Sequence, residues 1–162
     1  MFRKMRRFKQ QLSQEQCEEV LANAPRGVMA FLGDDDYPYA VPLDYFYDRD
    51  ANKLYFHGAK SGHKVDAMRR HDKASFCVMS EGVPAEGRFG LNFKSVICFG
   101  RLREVEPGDP TLQTVRRLGM RYLGSVYPTE KDVEEEIASA WKRALCYELD
   151  IEHMTGKLVN ES

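Results

Sequence analysis

The sequence predicts a mainly β protein with helices: a small barrel of six antiparallel strands decorated by helical segments. Three observations carry this. Six short stretches of strand length follow one another closely, separated by turn residues or brief helical patterns. Aromatic residues make up 11% of the chain, with nine Phe and eight Tyr, residue types that pack well on pleated surfaces. The segment Leu145 to Glu152 alternates apolar and polar side chains with period two, the pattern of a half-buried strand.

The first element is a helix opening at Ser13-Gln14-Glu15-Gln16, a capping box with Ser13 as N-cap. Cys17, Val20, Leu21 and Ala24 follow at helical spacing until Pro25 stops the run. Gly27 to Gly33 is an apolar first strand, and Asp34-Asp35-Asp36 before Tyr37-Pro38 is a turn. Tyr39 to Tyr47 forms a second strand, in which Pro42 marks an edge or a bulge because it cannot donate to a ladder. Lys53 to Gly58 is the third strand and a helix through Val65, Met68 and Arg69 follows. Lys73 to Met79 is the fourth strand, Gly82 to Gly90 a loop, and Phe93 to Val105 a long fifth strand that Gly100 is placed to bend. Helices over Thr111–Leu123 and Thr129–Arg143 precede the sixth strand at Leu145.

A length of 162 residues fits one domain spanning 1–162, with residues 1–12 as a basic N-terminal arm. The arm is either a solvated segment or one that docks on a partner subunit. The polar run Gln10 to Glu15 after it excludes a secretory signal, and no stretch of about 18 apolar residues is present to span a membrane. A formal net charge of −1 gives the chain no general attraction for nucleic acid or membrane. Cys17, Cys77, Cys98 and Cys146 show no paired zinc-knuckle spacing and read as reduced, buried residues of a cytoplasmic protein.

The densest chemistry lies in Phe56-His57-Gly58-Ala59-Lys60-Ser61-Gly62-His63-Lys64. Small residues at a strand end let backbone N–H groups approach a ligand, and the start of a helix favours an anion. Lys60, Ser61 and Lys64 add charge and donors. Read alone, the segment fits an anion site or an ordinary strand-to-helix turn with solvated lysines. It is not a Walker loop. Val41-Pro42-Leu43 offers backbone groups to a flat ligand, and Lys94 and Ser95 face either a ligand or solvent. Trp141, the one tryptophan, could stack on a ligand or anchor packing. His57 and His63 lack further ligands at metal spacing, and no nucleophile elbow appears.

Taken together, the runs Leu32 to Leu43, Leu54 to Asp66 and Lys94 to Gly100 resemble the pyridoxamine 5'-phosphate oxidase-related superfamily, nearest its 5-nitroimidazole-resistance branch. The resemblance extends from about Ser13 to His153 and implies an FMN-binding split β-barrel, a homodimer with FMN between subunits. By that resemblance Lys60, Ser61 and Lys64 hold the FMN phosphate, Val41, Pro42 and Leu43 line the isoalloxazine edge, and His57 lies near the ribityl chain or ring. Ser95 contacts the flavin, Trp141 packs close by, and His63 is a candidate substrate-facing residue. The expected activity is FMN-dependent oxidoreduction of a small molecule, with nitroimidazole reduction one case and a non-catalytic flavin or haem binding protein the alternative. The chain departs from the vitamin B6 oxidases in carrying no arginine from Leu145 to Met154, which argues against pyridoxamine phosphate as substrate.

Overall fold

The chain opens with a helix, α1 (Gln14–Asn23), that forms where the capping box places it. Ser13 Oγ accepts from the Gln16 N–H at 3.2 Å, and the Ser13 N–H donates back to Gln16 Oε1 at 3.0 Å. The computed structural model describes residues 1–87 and 89–160. Eight strands follow in one antiparallel system: β1 (Gly27–Leu32), β2 (Pro38–Leu43), β3 (Phe46–Asp48), β4 (Lys53–Gly58), β5 (Lys73–Met79), β6 (Val83–Pro84), β7 (Leu91–Glu104) and β8 (Leu145–Val159). Three more helices lie between them: α2 (His63–Arg70), α3 (Asp109–Met120) and α4 (Glu130–Ala140).

The expected count of six strands is corrected to eight. The stretch Tyr39 to Tyr47 is two strands, broken at Asp44-Tyr45. The expected loop Gly82–Gly90 contributes the two-residue β6; Arg88 in it lies outside the described residues. The last strand runs on to Val159, past the alternating part, because its second half pairs with the start of β7.

The strand order is β2-β1-β5-β7-β8-β4-β3, with β6 added to β7. Its two end strands, β2 and β3, are consecutive in sequence and separated by only Asp44 and Tyr45. A link that short spans about 10 Å. The sheet must therefore curl until its edges meet, joined by the chain and not by a ladder. That is a barrel split along one side. Gly100 supplies part of the curl: the β7–β8 register shifts between Phe99 and Gly100, and a Cβ at Gly100 would lie 2.0 Å from the Asp150 carbonyl oxygen.

The barrel interior is filled by its own side chains. Phe56 stacks on Tyr147, Phe76 meets Phe56 and Tyr45 edge-on, and Met29, Leu54 and Leu149 are fully buried among them. Leu21 of α1 and Ala67 and Met68 of α2 join the same core. The Tyr45 hydroxyl donates to the Leu21 carbonyl at 2.5 Å, and Arg121 donates to the carbonyls of Tyr45 and Ala24 while lying over the Tyr45 ring. The two-residue link is thus clamped from both sides. The α3–α4 hairpin packs on itself, with a Cβ at Gly119 meeting Val133 at 2.9 Å, and its Thr111 carbonyl accepts from the Cys146 thiol on β8.

Candidate functional site

The turn from β4 into α2 carries the cluster singled out in the sequence. Gly62 precedes the helix with φ of +121°, a left-handed conformation that suits glycine, and no side chain caps the first turn. The first N–H groups of an α-helix have no partner within it. Lys64 lies in that turn, half-buried, with its ammonium folded back toward Gly58 and over the Tyr147 ring at 5.5 Å. A Cβ at Gly58 would approach Lys64 Nζ to 2.9 Å, so the glycine leaves the space that the ammonium uses. Among the described residues no carboxylate pairs with Lys64, and burial lowers its pKa from the ordinary lysine value. Below it, the Tyr147 hydroxyl is buried with no hydrogen-bond partner among the described residues.

The other members of the cluster point elsewhere. His63 stacks flat on Tyr39 of β2 at 4.0 Å, and its Nε2 lies 3.6 Å from Asp34, whose carboxylate also accepts from Arg70 at 2.6 Å. The Arg70 bond, with smaller help from charge and His63, lowers the Asp34 pKa. Helix α2 is thereby tied to β2 through His63 and to β8 through Lys64. Lys60 donates to the Lys142 carbonyl at 2.7 Å, beside Trp141, and so does not converge with Lys64 on one point. Ser61 is exposed at the turn.

His57, one residue before Gly58, faces away from the core on β4. It lines a cleft of about 350 Å³ under the α3–α4 hairpin together with Trp141. Desolvation is the main cause that lowers its pKa; Lys64 adds to it and Asp44 opposes it. The imidazole is therefore neutral at physiological pH.

Alternation along the strands separates the remaining candidates. Leu43 is buried in the core and Val41 packs against it, whereas Pro42 points outward. The expectation for Val41, Pro42 and Leu43 concerned their backbone groups, and of the three only Pro42 also turns its side chain outward. Any contribution from Leu43 is through its backbone. Ladder pairing sets Pro42 beside Val28, Val28 beside Cys77 and Cys77 beside Ile97, one row across the outer sheet face. Ser95 is on that face as well, paired with Met79 and Lys157. It lies three strands from β2, about 14 Å along the ladder direction. One subunit alone therefore does not bring Ser95 to Pro42 or to the Lys64 turn.

The model of the pyridoxamine 5'-phosphate oxidase family matches residues 13–158, nearly the whole chain. The chain belongs to the pyridoxamine 5'-phosphate oxidase family. Among solved structures it is similar to a Bacteroides thetaiotaomicron protein named for 5-nitroimidazole antibiotic resistance, at 16% identity and a TM-score of 0.73, covering 91% of this chain and 86% of that one. It is similar to a FAD-binding protein from Mesorhizobium loti, at 25% identity and a TM-score of 0.63, covering 93% and 97%. A FAD and haem binding protein from Mycobacterium smegmatis matches at 18% identity and a TM-score of 0.70, covering 94% and 74%. No curated protein matches the chain.

Within the pyridoxamine 5'-phosphate oxidase family framework, this chain's β8 carries no arginine anywhere between Leu145 and Val159. Among the described residues no group of three His, Cys, Asp or Glu is placed to hold a metal ion, and no helix is long and apolar enough to cross a membrane. All four cysteines are free thiols; burial raises the pKa of Cys98 to about 12 and of Cys146 to about 11, which leaves both unreactive. Sequence reasoning missed Tyr147, which meets Lys64 only through folding and carries no local motif, and it did not foresee that His63 stacks on Tyr39 and approaches Asp34.

Proposed function

We propose that the chain is an FMN-dependent oxidoreductase that acts on a small molecule as a homodimer, with nitroimidazole-type compounds the first class to test. The observation that carries this is Lys64: a half-buried ammonium with no carboxylate partner among the described residues, in the first turn of an uncapped helix. A desolvated cation beside free backbone donors fits a phosphate monoester, which brings nearly two negative charges and strong acceptors. The donor set thus suits the flavin phosphate. Family membership and the printed names of flavin-binding neighbours support the same group.

In this reading Lys64 and the α2 N–H groups hold the phosphate, with Ser61 at the rim. Pro42 and Ser95 line the outer face where the ring system lies. A bound flavin supplies hydride or electron transfer to an electrophile, so no side-chain nucleophile is required. Neutral His57 provides a polar wall without adding charge.

The homodimer rests on the outer face of β1, β5 and β7. Val28 (38% exposed), Met79 (58%) and Ile97 (36%) form an apolar surface there. A second copy covers it and brings one subunit's Ser95 toward the other's Pro42. The thiols suit a reducing, cytoplasmic setting.

The test is direct. Purified protein should show the visible absorption of oxidised flavin, sediment as a dimer, and turn over a nitro-aromatic acceptor with NADH or NADPH. Colourless protein that takes up no added FMN overturns the proposal. Flavin that binds but never turns over assigns the carrier role instead.

A further inference from the structure

Residues 1–14 hold five basic side chains, Arg3, Lys4, Arg6, Arg7 and Lys9, and no acidic one. All 25 Asp and Glu of the chain lie after them, so the rest of the molecule is net acidic. Solubility is served by mixed charges and does not call for this separation. The separation creates a local positive field.

The arm is docked on its own sheet. Phe2 stacks on His153 at 4.5 Å and meets Phe99 at 5.6 Å, on the outer face of β7 and β8. Further along, Gln11 bridges to Lys157, the Leu12 N–H donates to the Gly156 carbonyl at 2.9 Å, and Gln10 Nε2 donates to Asn160 Oδ1 at 2.5 Å. The segment held between these anchors brings Arg6 and Arg7 to Lys157, and with Met5 they line a hollow of about 410 Å³. None of the three cations has an ion-pair partner among the described residues. The acidic residues of β8, Glu148, Asp150 and Glu152, pair with Lys53, Arg103 and Arg101 instead.

Three like charges held around one hollow repel one another, and nothing in the described chain neutralises them. An anion does. Guanidinium forks match phosphate oxygens in pairs, and an ammonium adds a point charge. Two forks and an ammonium together suit two linked phosphate groups better than a single carboxylate. The hollow also has a defined neighbour. Lys157 pairs with Ser95 across the β7–β8 ladder, so it stands about 5 Å from Ser95 on the same face.

We propose that the arm and β8 form a second anion site, separate from the Lys64 turn, which takes a diphosphate group. The site does not depend on the flavin reading. The molecule that brings the group does: with the flavin ring system beside Ser95, it is the nicotinamide dinucleotide that delivers electrons.

Calorimetric titration of the full chain with inorganic pyrophosphate, at constant ionic strength, tests the site. Arg6→Gln combined with Arg7→Gln should weaken pyrophosphate by about tenfold, whereas Lys64→Met should leave that binding in place. Both arginines are exposed, and far-UV circular dichroism checks that the double variant is folded. Sulfate should compete far less well than pyrophosphate. Pyrophosphate binding that survives the double variant, or sulfate that competes equally, overturns the proposal. Vesicles rich in phosphatidylserine that retain the chain, with no saturable pyrophosphate binding, also overturn it and assign the arm to a lipid surface. Steady-state kinetics read the donor role separately. The double variant should raise the KM for NADH and NADPH by about tenfold at unchanged kcat, and leave reduced nicotinamide riboside, which has no phosphate, unaffected. Pyrophosphate binding with an unaltered donor KM supports the site and refutes its use by the donor. Pyrophosphate binding by protein that takes up no FMN supports the site and refutes the oxidoreductase.

Discussion

Replacing Lys64 by Met separates a phosphate cradle from a structural lysine, because the two roles predict opposite results. Met keeps the apolar stem and removes the charge. If the ammonium contacts the FMN phosphate, its loss removes a charge-assisted hydrogen bond of about 1.5–3 kcal/mol, a tenfold to hundredfold rise in the dissociation constant. The flavin-free protein should respond differently. The Lys64 pKa is lower in the folded chain than in the unfolded one, so the unfolded state binds the proton more readily. The charged side chain therefore costs stability at pH values below the folded pKa, and that cost fades as pH rises toward the unfolded value. Against this stands the contact over the Tyr147 ring at 5.5 Å, which contributes about 0.5–1 kcal/mol. The two oppose each other, and the unfolding free energy of the flavin-free variant should stay within about 1 kcal/mol of the parent. Flavin fluorescence quenching gives the affinity and urea denaturation the stability. Riboflavin, which lacks the phosphate, is the control: its affinity should not change. Equal losses for FMN and riboflavin, or FMN affinity unaltered, would refute the reasoning.

Three further outcomes follow from the same geometry. FMN affinity should decline as pH rises through the lowered Lys64 pKa, before the ordinary lysine value of 10.5, since the phosphate dianion binds the protonated amine; it should also weaken below about pH 6, where the phosphate loses its second charge. A decline delayed to pH 10.5 would place Lys64 outside the site. Gly100→Ala should destabilise the fold by about 3 kcal/mol in urea denaturation, because the new Cβ meets the Asp150 carbonyl oxygen at 2.0 Å and backbone cannot step aside cheaply. Ile97→Lys, on the outer face, should yield folded monomer by sedimentation with little FMN bound, and an unaltered dimer would show that the partner sits elsewhere.

Local signals made much of the architecture legible in advance. The Ser13 capping box, the break at Pro25, the edge position of Pro42 and the bend at Gly100 each depend on a few adjacent residues, and each is where the sequence placed it. The division of Tyr39–Tyr47 was not legible. Tyr45 and Tyr47 have strand-like composition, and what parts them from β2 is a tertiary event: Tyr45 turns into the core to reach the Leu21 carbonyl, under Arg121 from a distant helix. The site shows the same limit. Lys60 and Lys64 are four residues apart and alike in composition, yet one is drawn to the Lys142 carbonyl and the other to Tyr147. Nothing near either lysine in sequence distinguishes them. Leu43 likewise shares a motif with Pro42, but strand alternation sends it inward.

The place of the site follows from the incomplete closure of the barrel. A closed barrel pairs every strand on both sides and offers a ligand no backbone groups. Here β2 pairs with β1 alone, so its other side keeps unpaired N–H and C=O groups within a rigid sheet. Pro42 is tolerated there because no further ladder needs its missing donor. Helix α2 buries Ala67 and Met68 in the core while its first turn carries the half-buried Lys64. His63, in the uncapped first turn of α2, stacks on Tyr39 of the edge strand β2, so the open strand edge and the helix start lie side by side. Pairing a further strand to β2 would remove that edge, so the candidate site and the incomplete closure of the barrel go together.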